Sequence, residues 1–155
     1  MTSTLLCRQF DFNQLLITKG IEDLSHEDSL RGPQAAGNCV NWVLGHLLLT
    51  RSHLESLLGV DPLLSGERWG VYEAGHEDLD RTRALNLEEL RQVAADSLSH
   101  LQASIQSSEP RMNDAIGPRG RSIADTIGTF VSHEAYHAGQ IHLIRRTIGK
   151  PGVFR

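Results

Sequence analysis

No stretch of the 155 residues approaches the roughly 18 continuous apolar positions that a membrane-spanning helix requires. The opening residues, Met1 to Arg8, lack a basic region followed by a long apolar run, so no secretory signal is read there. Cysteine is nearly absent. Cys7 and Cys39 stand alone, with neither C-x-x-C spacing nor a disulfide framework, which fits a reducing compartment. These absences together lead us to expect a cytoplasmic protein with no membrane partner. A positive excess is missing too: 15 Lys and Arg stand against 19 Asp and Glu, for a formal charge of −4. Without a basic stripe, no nucleic-acid partner is expected. Arg145, Arg146 and Lys150 do cluster near the end of the last helical pattern, where they complement the helix dipole. Strand-like alternation of useful length and internal repeats are also lacking.

What is present is helix. The composition, 39% hydrophobic and 22% charged, is that of an ordinary globular chain, and the length suits a single domain over residues 1–155. Four helical patterns emerge. The first runs from about Thr4 to Leu24, with Leu6, Phe10, Ile17, Ile21 and Leu24 on one stripe, and residues 25–33 break it. The second starts at Asn38 as N-cap and ends at Gly59; its first half, from Val40 to Leu49, is apolar on nearly every side. The third opens at Asn86, with Glu89 in a capping-box position, and ends before Pro110. The fourth runs from Ser122 to about Ile148, where Gly149 stops it; its stripe is Ile123, Ile127, Phe130, His133, His137, Ile141, Ile144 and Ile148. An all-α four-helix bundle is the expected architecture. The connection over residues 60–85, about 26 residues, exceeds an ordinary loop and lets the second and third helices run parallel as a crossover. Trp69, Tyr72 and His76 on that connection are candidates to cover one end of the bundle.

The most informative segment is Ser132-His133-Glu134-Ala135-Tyr136-His137-Ala138-Gly139-Gln140. Positions i and i+4 share a helix face about 6 Å apart, so His133 and His137 form the H-x-x-x-H half of a first-row metal site. Both fall on the core stripe. A buried imidazole needs a hydrogen-bond partner or a metal, so two readings stand: half of a metal centre, or a pair of satisfied core histidines. The run also spells H-E-x-x-H, the zinc protease signature with Glu134 as water-activating base. Its context argues against that: position 143 is Leu, His142 is displaced by one residue, and no acidic residue follows Glu134.

His46, amid apolar neighbours in the second helix, is the better third ligand, and Gly45 beside it would admit a close neighbouring helix. His100 is an outside candidate. His53 lies on the face of His46 about 10.5 Å along the axis and reads as an ordinary surface histidine ahead of a cavity-lining one. His26 and His76 lie in connections, and His142 points away from His133. Glu134 is read as solvated ahead of a supporting place behind the site, Tyr136 as a packing or interface residue, and Gln140 as either a hydrogen-bond partner of the site or a capping or packing residue.

The pairing of Asn38-x-x-x-Trp42-x-x-x-His46 with His133-Glu134-x-x-His137-x-Gly139-Gln140-Ile141 resembles the DinB family of four-helix-bundle metal proteins, over essentially the whole chain. The resemblance implies a three-histidine site for a divalent metal, zinc or nickel, on His46, His133 and His137, with water completing the shell. It also implies a homodimer and thiol-dependent chemistry on small molecules: transfer of a low-molecular-weight thiol to an electrophile, or isomerisation. It implies no DNA polymerase activity. Three neutral nitrogen ligands and an open position form the catalytic rather than the structural zinc pattern. The functional expectation is a metalloenzyme, a thiol-dependent transferase ahead of a hydrolase. The alternative is a non-catalytic binding or stress-response module that the metal merely stabilises.

Overall fold

The computed structural model describes residues 2–33, 38–75, 79–117 and 119–153. Helix dominates throughout, as the stripes require. Helix α1 spans Thr2–Ile21 and buries Leu6, Phe10, Ile17 and Ile21. Leu24 is buried as well, but lies beyond the helix in a turn. The expected break at 25–33 contains a one-turn helix, α2, at His26–Ser29. Ser25 Oγ accepts from the Asp28 N–H, and the Asp28 carboxylate accepts from the Ser25 N–H. That reciprocal capping box offsets the cost of so short a helix.

Helix α3 spans Val40–Leu57. Its cap differs from the expectation: Cys39, with extended dihedrals, occupies the N-cap and supplies no side-chain bond, while Asn38 stands one residue outside. Every residue from Val40 to Leu49 is buried, so packing, rather than capping, holds this end. The far end closes as read. Gly59 takes φ 80°, its N–H bonds Ser56 O, and Val60 N–H bonds Glu55 O, the paired bonds of a left-handed glycine stop.

The connection that follows is ordered by a 3₁₀ helix at Glu67–Tyr72, which lays Trp69, Val71 and Tyr72 against α3. His76 lies outside the described residues. Tyr72 is wholly buried; its hydroxyl donates to Asn41 Oδ1 and accepts from the Leu85 N–H. The neighbour that Gly45 admits is this ring, not a helix. A Cβ at position 45 would stand 2.3 Å from Tyr72 Cδ1.

Helix α4, Leu87–Ser107, is capped by Asn86 Oδ1 accepting from the Glu88 N–H. The capping box with Glu89 does not form, because Glu89 pairs with Arg68. A 3₁₀ turn at Glu109–Arg111 leads into a two-residue hairpin, β1 (Ala115–Ile116) against β2 (Arg121–Ser122), antiparallel with Ala115 opposite Ser122. Helix α5, Ile123–Thr147, starts on Ser122, whose hydroxyl accepts from the Asp125 N–H, and stops at Gly149 with φ 89°.

The principal contacts link α1 to α5 and α4, and α3 to α4 and α5. Hydrogen bonds fix their directions. Asn13 reaches Val131, the Leu16 carbonyl takes His142, and the Gly20 carbonyl takes Arg145, so α1 and α5 run the same way. Asn41 bonds Leu85, Arg51 bonds Ala94 and Ser97, and Glu55 pairs with His100, so α3 and α4 also run the same way. Cys7 meets Gln102 while Ile21 meets Arg91, which sets α1 against α4. Two residues of the basic cluster are structural: Arg145 is buried and also bonds Asp23 and the Pro151 carbonyl, and Lys150 pairs with Asp28. No helix among the described residues is long and apolar enough to cross a membrane.

Candidate metal centre

The three histidines singled out by the sequence meet between α3 and α5. One ring nitrogen from each of His46, His133 and His137 lies within 4.8 Å of the others. Two of the three rings are aimed by a neighbour's oxygen. His46 stacks on Trp42, one turn earlier, at 4.7 Å and 7°. Its Nδ1–H donates to the Tyr72 carbonyl at 2.9 Å, which assigns the proton to Nδ1 and leaves the Nε2 lone pair free. On α5, the His137 Nδ1–H donates to Gln140 Oε1 at 2.6 Å, and the Gln140 amide donates to the Tyr136 hydroxyl. Carbonyl or amide oxygen behind an imidazole is the usual arrangement at a metal site, because it fixes both tautomer and ring angle.

The lone pairs so directed converge. His137 Nε2 and His133 Nε2 stand 3.1 Å apart, and the His46 ring centre lies 5.3 Å from that of His133 and 5.0 Å from that of His137. Nitrogens bound at about 2.0–2.1 Å to one tetrahedral ion stand about 3.4 Å apart, so the α5 pair is already spaced for sharing a cation. Burial favours neutral rings. Desolvation holds His46 and His133 below the ordinary imidazole range and pulls His137 down to about 4. All three are therefore uncharged near neutrality, the form in which imidazole is a ligand. The donor set fits a first-row divalent ion.

Phe130 and His133, read as core-facing, are only half-buried because a cavity of 320 Å³ opens beside them. His46, Thr50, Ala74 and Thr129 complete much of its wall, and His53 and Glu73 face each other across its rim at 3.6 Å. His53 thus combines surface exposure with a place at the cavity.

Glu134 overturns its reading as a solvated residue. It is 2% exposed, and its two oxygens accept from Arg51 Nε at 2.9 Å and Nη2 at 2.8 Å. The helix face about 100° round from His133 points between the helices, not outward. Arg51, 1% exposed, spends its remaining N–H groups on the Ala94 carbonyl, Ser97 Oγ and Gln14 Oε1. With both oxygens held, Glu134 has no freedom to serve as a water-activating base, which removes the protease reading on geometry as well as context.

Three further described histidines are engaged elsewhere. His100 pairs with the buried Glu55, His142 bonds the Leu16 carbonyl, and His26 Nδ1 accepts from the Leu87 N–H. Sequence reasoning did not identify the Tyr72 carbonyl or Arg51 as parts of this region. The arginine at helical spacing on the stripe of Leu44, Leu47, Leu54 and Leu58 was the available signal; for the carbonyl only the small residue at Gly45 hinted at a close approach.

The family model of the DinB superfamily matches residues 9–141. No curated protein matches the chain. Among solved structures, the crystal structure of a conserved protein from Enterococcus faecalis is similar, with TM-score 0.70 at 17% identity, covering 94% of this chain and 96% of that one. At that identity the likeness speaks for the fold alone.

Proposed function

The chain belongs to the DinB superfamily, and from that premise we propose that it is a divalent-metal protein, a metalloenzyme acting on a small molecule, with thiol transfer ahead of hydrolysis. The observation that carries the reading is the convergence of three Nε2 atoms, two with their Nδ1 protons committed elsewhere. Two satisfied core histidines would have no use for a third ring aimed at the same point.

His46, His133 and His137 would hold the ion, zinc or nickel by the softness and geometry of imidazole. A divalent ion so held, with one position open to the cavity, supplies a lowered pKa to bound water or deprotonates a bound thiol. The chain's own part is orientation. Tyr72 and Gln140 fix the rings of His46 and His137, Trp42 stacks behind His46, Ala74 and Phe130 give the cavity an apolar wall, and the Arg51–Glu134 lock sets α5 against α3. Thiol chemistry ranks first because the one carboxylate in the α5 motif is bound by Arg51, leaving no base there to activate water. A low-molecular-weight thiol is the proposed partner. A second copy of the chain is also proposed, seated on the exposed Phe12 and Leu15 of α1 and Tyr136 and Leu143 of α5.

The test is metal content followed by ligand exchange. Purified protein should carry close to one divalent ion per chain, and a cobalt-substituted sample should change its spectrum on adding thiol or azide. A metal-free protein that also fails to take up cobalt would remove the proposal. A cobalt sample indifferent to both ligands would leave a closed, purely structural site.

A further inference from the structure

The cavity beside His46 and His133 continues past the histidines. Thr129 and Phe130 form a wall shared with a second cavity of 310 Å³, whose sides include Leu57 and Ile116 and whose lip carries Arg119 and Arg121. One side of that shared wall faces imidazole nitrogens; the other faces two guanidinium groups. Phe130 lies between them.

Arg121 is held in place. Its backbone pairs with Ile116 in the β1–β2 hairpin, and the turn closes through the Gly120 N–H bonding Gly117 O. Its Nη1 donates to Thr129 Oγ1 at 3.2 Å, and that hydroxyl donates in turn to the Asp125 carbonyl. The guanidinium thus rests against a residue that borders both cavities. The Asp125 carboxylate is engaged by Ser122 Oγ at 2.7 Å. Arg111 and Arg145 have carboxylate partners, whereas among the described residues no ion pair engages Arg119 or Arg121. Among the described residues no acidic side chain lines the second cavity. A fixed, unneutralised fork donor beside an apolar trough is the arrangement that reads a carboxylate.

We propose that Arg121, with Arg119 beside it, binds the carboxylate end of a small amphipathic substrate whose apolar middle lies on Phe130 and whose reacting group reaches the three-histidine site. The inference rests on the open-metal reading above and adds the substrate's charge and shape. Thr129 and His133 are one helical turn apart, about 6 Å along the axis, so the substrate spans roughly 6–10 Å between its two ends. A chain of about five or six carbons covers that span.

The probes are two thiols of equal length, terminal mercaptohexanoate and terminal mercaptohexanol, titrated into cobalt-loaded protein while the cobalt spectrum is followed. The acid should bind about tenfold or more tightly than the alcohol, the margin of a charge-assisted pair. Arg121→Ala should erase that difference while leaving the alcohol's affinity, the cobalt content and the melting temperature as they were; the residue is exposed and its loss leaves the core intact. Equal binding of acid and alcohol to the unaltered protein, or a preference that survives Arg121→Ala, overturns the arginine's role while the open metal site stands. If neither thiol perturbs the cobalt spectrum, the open-metal reading fails and this inference fails with it.

Discussion

Two buried polar clusters join α3 to α5 within about a turn and a half of each other, and they are built on opposite principles. At Arg51 and Glu134, five donated hydrogen bonds use all five N–H groups of the guanidinium, and both carboxylate oxygens are taken. At His46 and His137 the outer nitrogens are satisfied, and with His133 the inner nitrogens face one another across a gap that opens to a cavity. The first cluster is closed on itself and can only hold. The second keeps ligand capacity directed at a point in space, which is the condition for the metal binding proposed above. A buried polar group is evidence of function when its hydrogen bonds leave something over, and of architecture when they do not.

The comparison breaks most decisively at the histidines. His46→Ala, His133→Ala and His137→Ala should each abolish metal uptake in elemental analysis, whereas His142→Ala should retain it, since His142 bonds the Leu16 carbonyl instead. Retention of full metal by His46→Ala would show that α3 contributes no ligand. Next in size is the closed cluster. Glu134→Ala leaves a buried guanidinium without its anion and should cost about 3–5 kcal/mol in urea unfolding. The loss should be equal with and without metal; a loss confined to the metal-bound form would make Glu134 part of the centre.

Smaller effects sharpen the contrast. Gln140→Ala removes the acceptor behind His137 and should weaken metal affinity about 10–100-fold in competition with a chelator, with the fold unchanged. Gly45→Ala drives a methyl into the Tyr72 ring and should cost about 1–3 kcal/mol, measurable as a lower denaturation midpoint, with some loss of affinity as the Tyr72 carbonyl shifts. The smallest effect is on acidity. His137 has a folded pKa of about 4 against an unfolded value of about 6.5, so the metal-free fold holds this contribution above about pH 6.5. It should lose it progressively as pH falls through about 4. In His137→Ala that part of the acid dependence should vanish from the melting curve.

How far the chain could be read in advance depended on which physical signal was local. The α5 stripe, the Ser122 start and the Gly59 and Gly149 stops follow from periodicity and backbone freedom at single positions, and they were legible. The Asn38 cap and the Glu89 capping box were also local readings, yet tertiary contacts prevailed: burial starts α3 at Cys39, and Arg68 takes Glu89. Glu134 misled for a related reason. An acidic residue on a helix suggests solvent until an arginine 83 positions away in the chain is known to lie opposite it.

Residue spacing by itself determined that His133 and His137 share a face and that the molecule is helical, because 3.6 residues per turn is a property of the backbone alone. Whether those two rings meet a third, what holds the third at its angle, and which way the neighbouring glutamate points depend on how α3, α5 and the 3₁₀ segment pack. Such contacts join residues far apart in the chain, and no local rule of periodicity or capping encodes them.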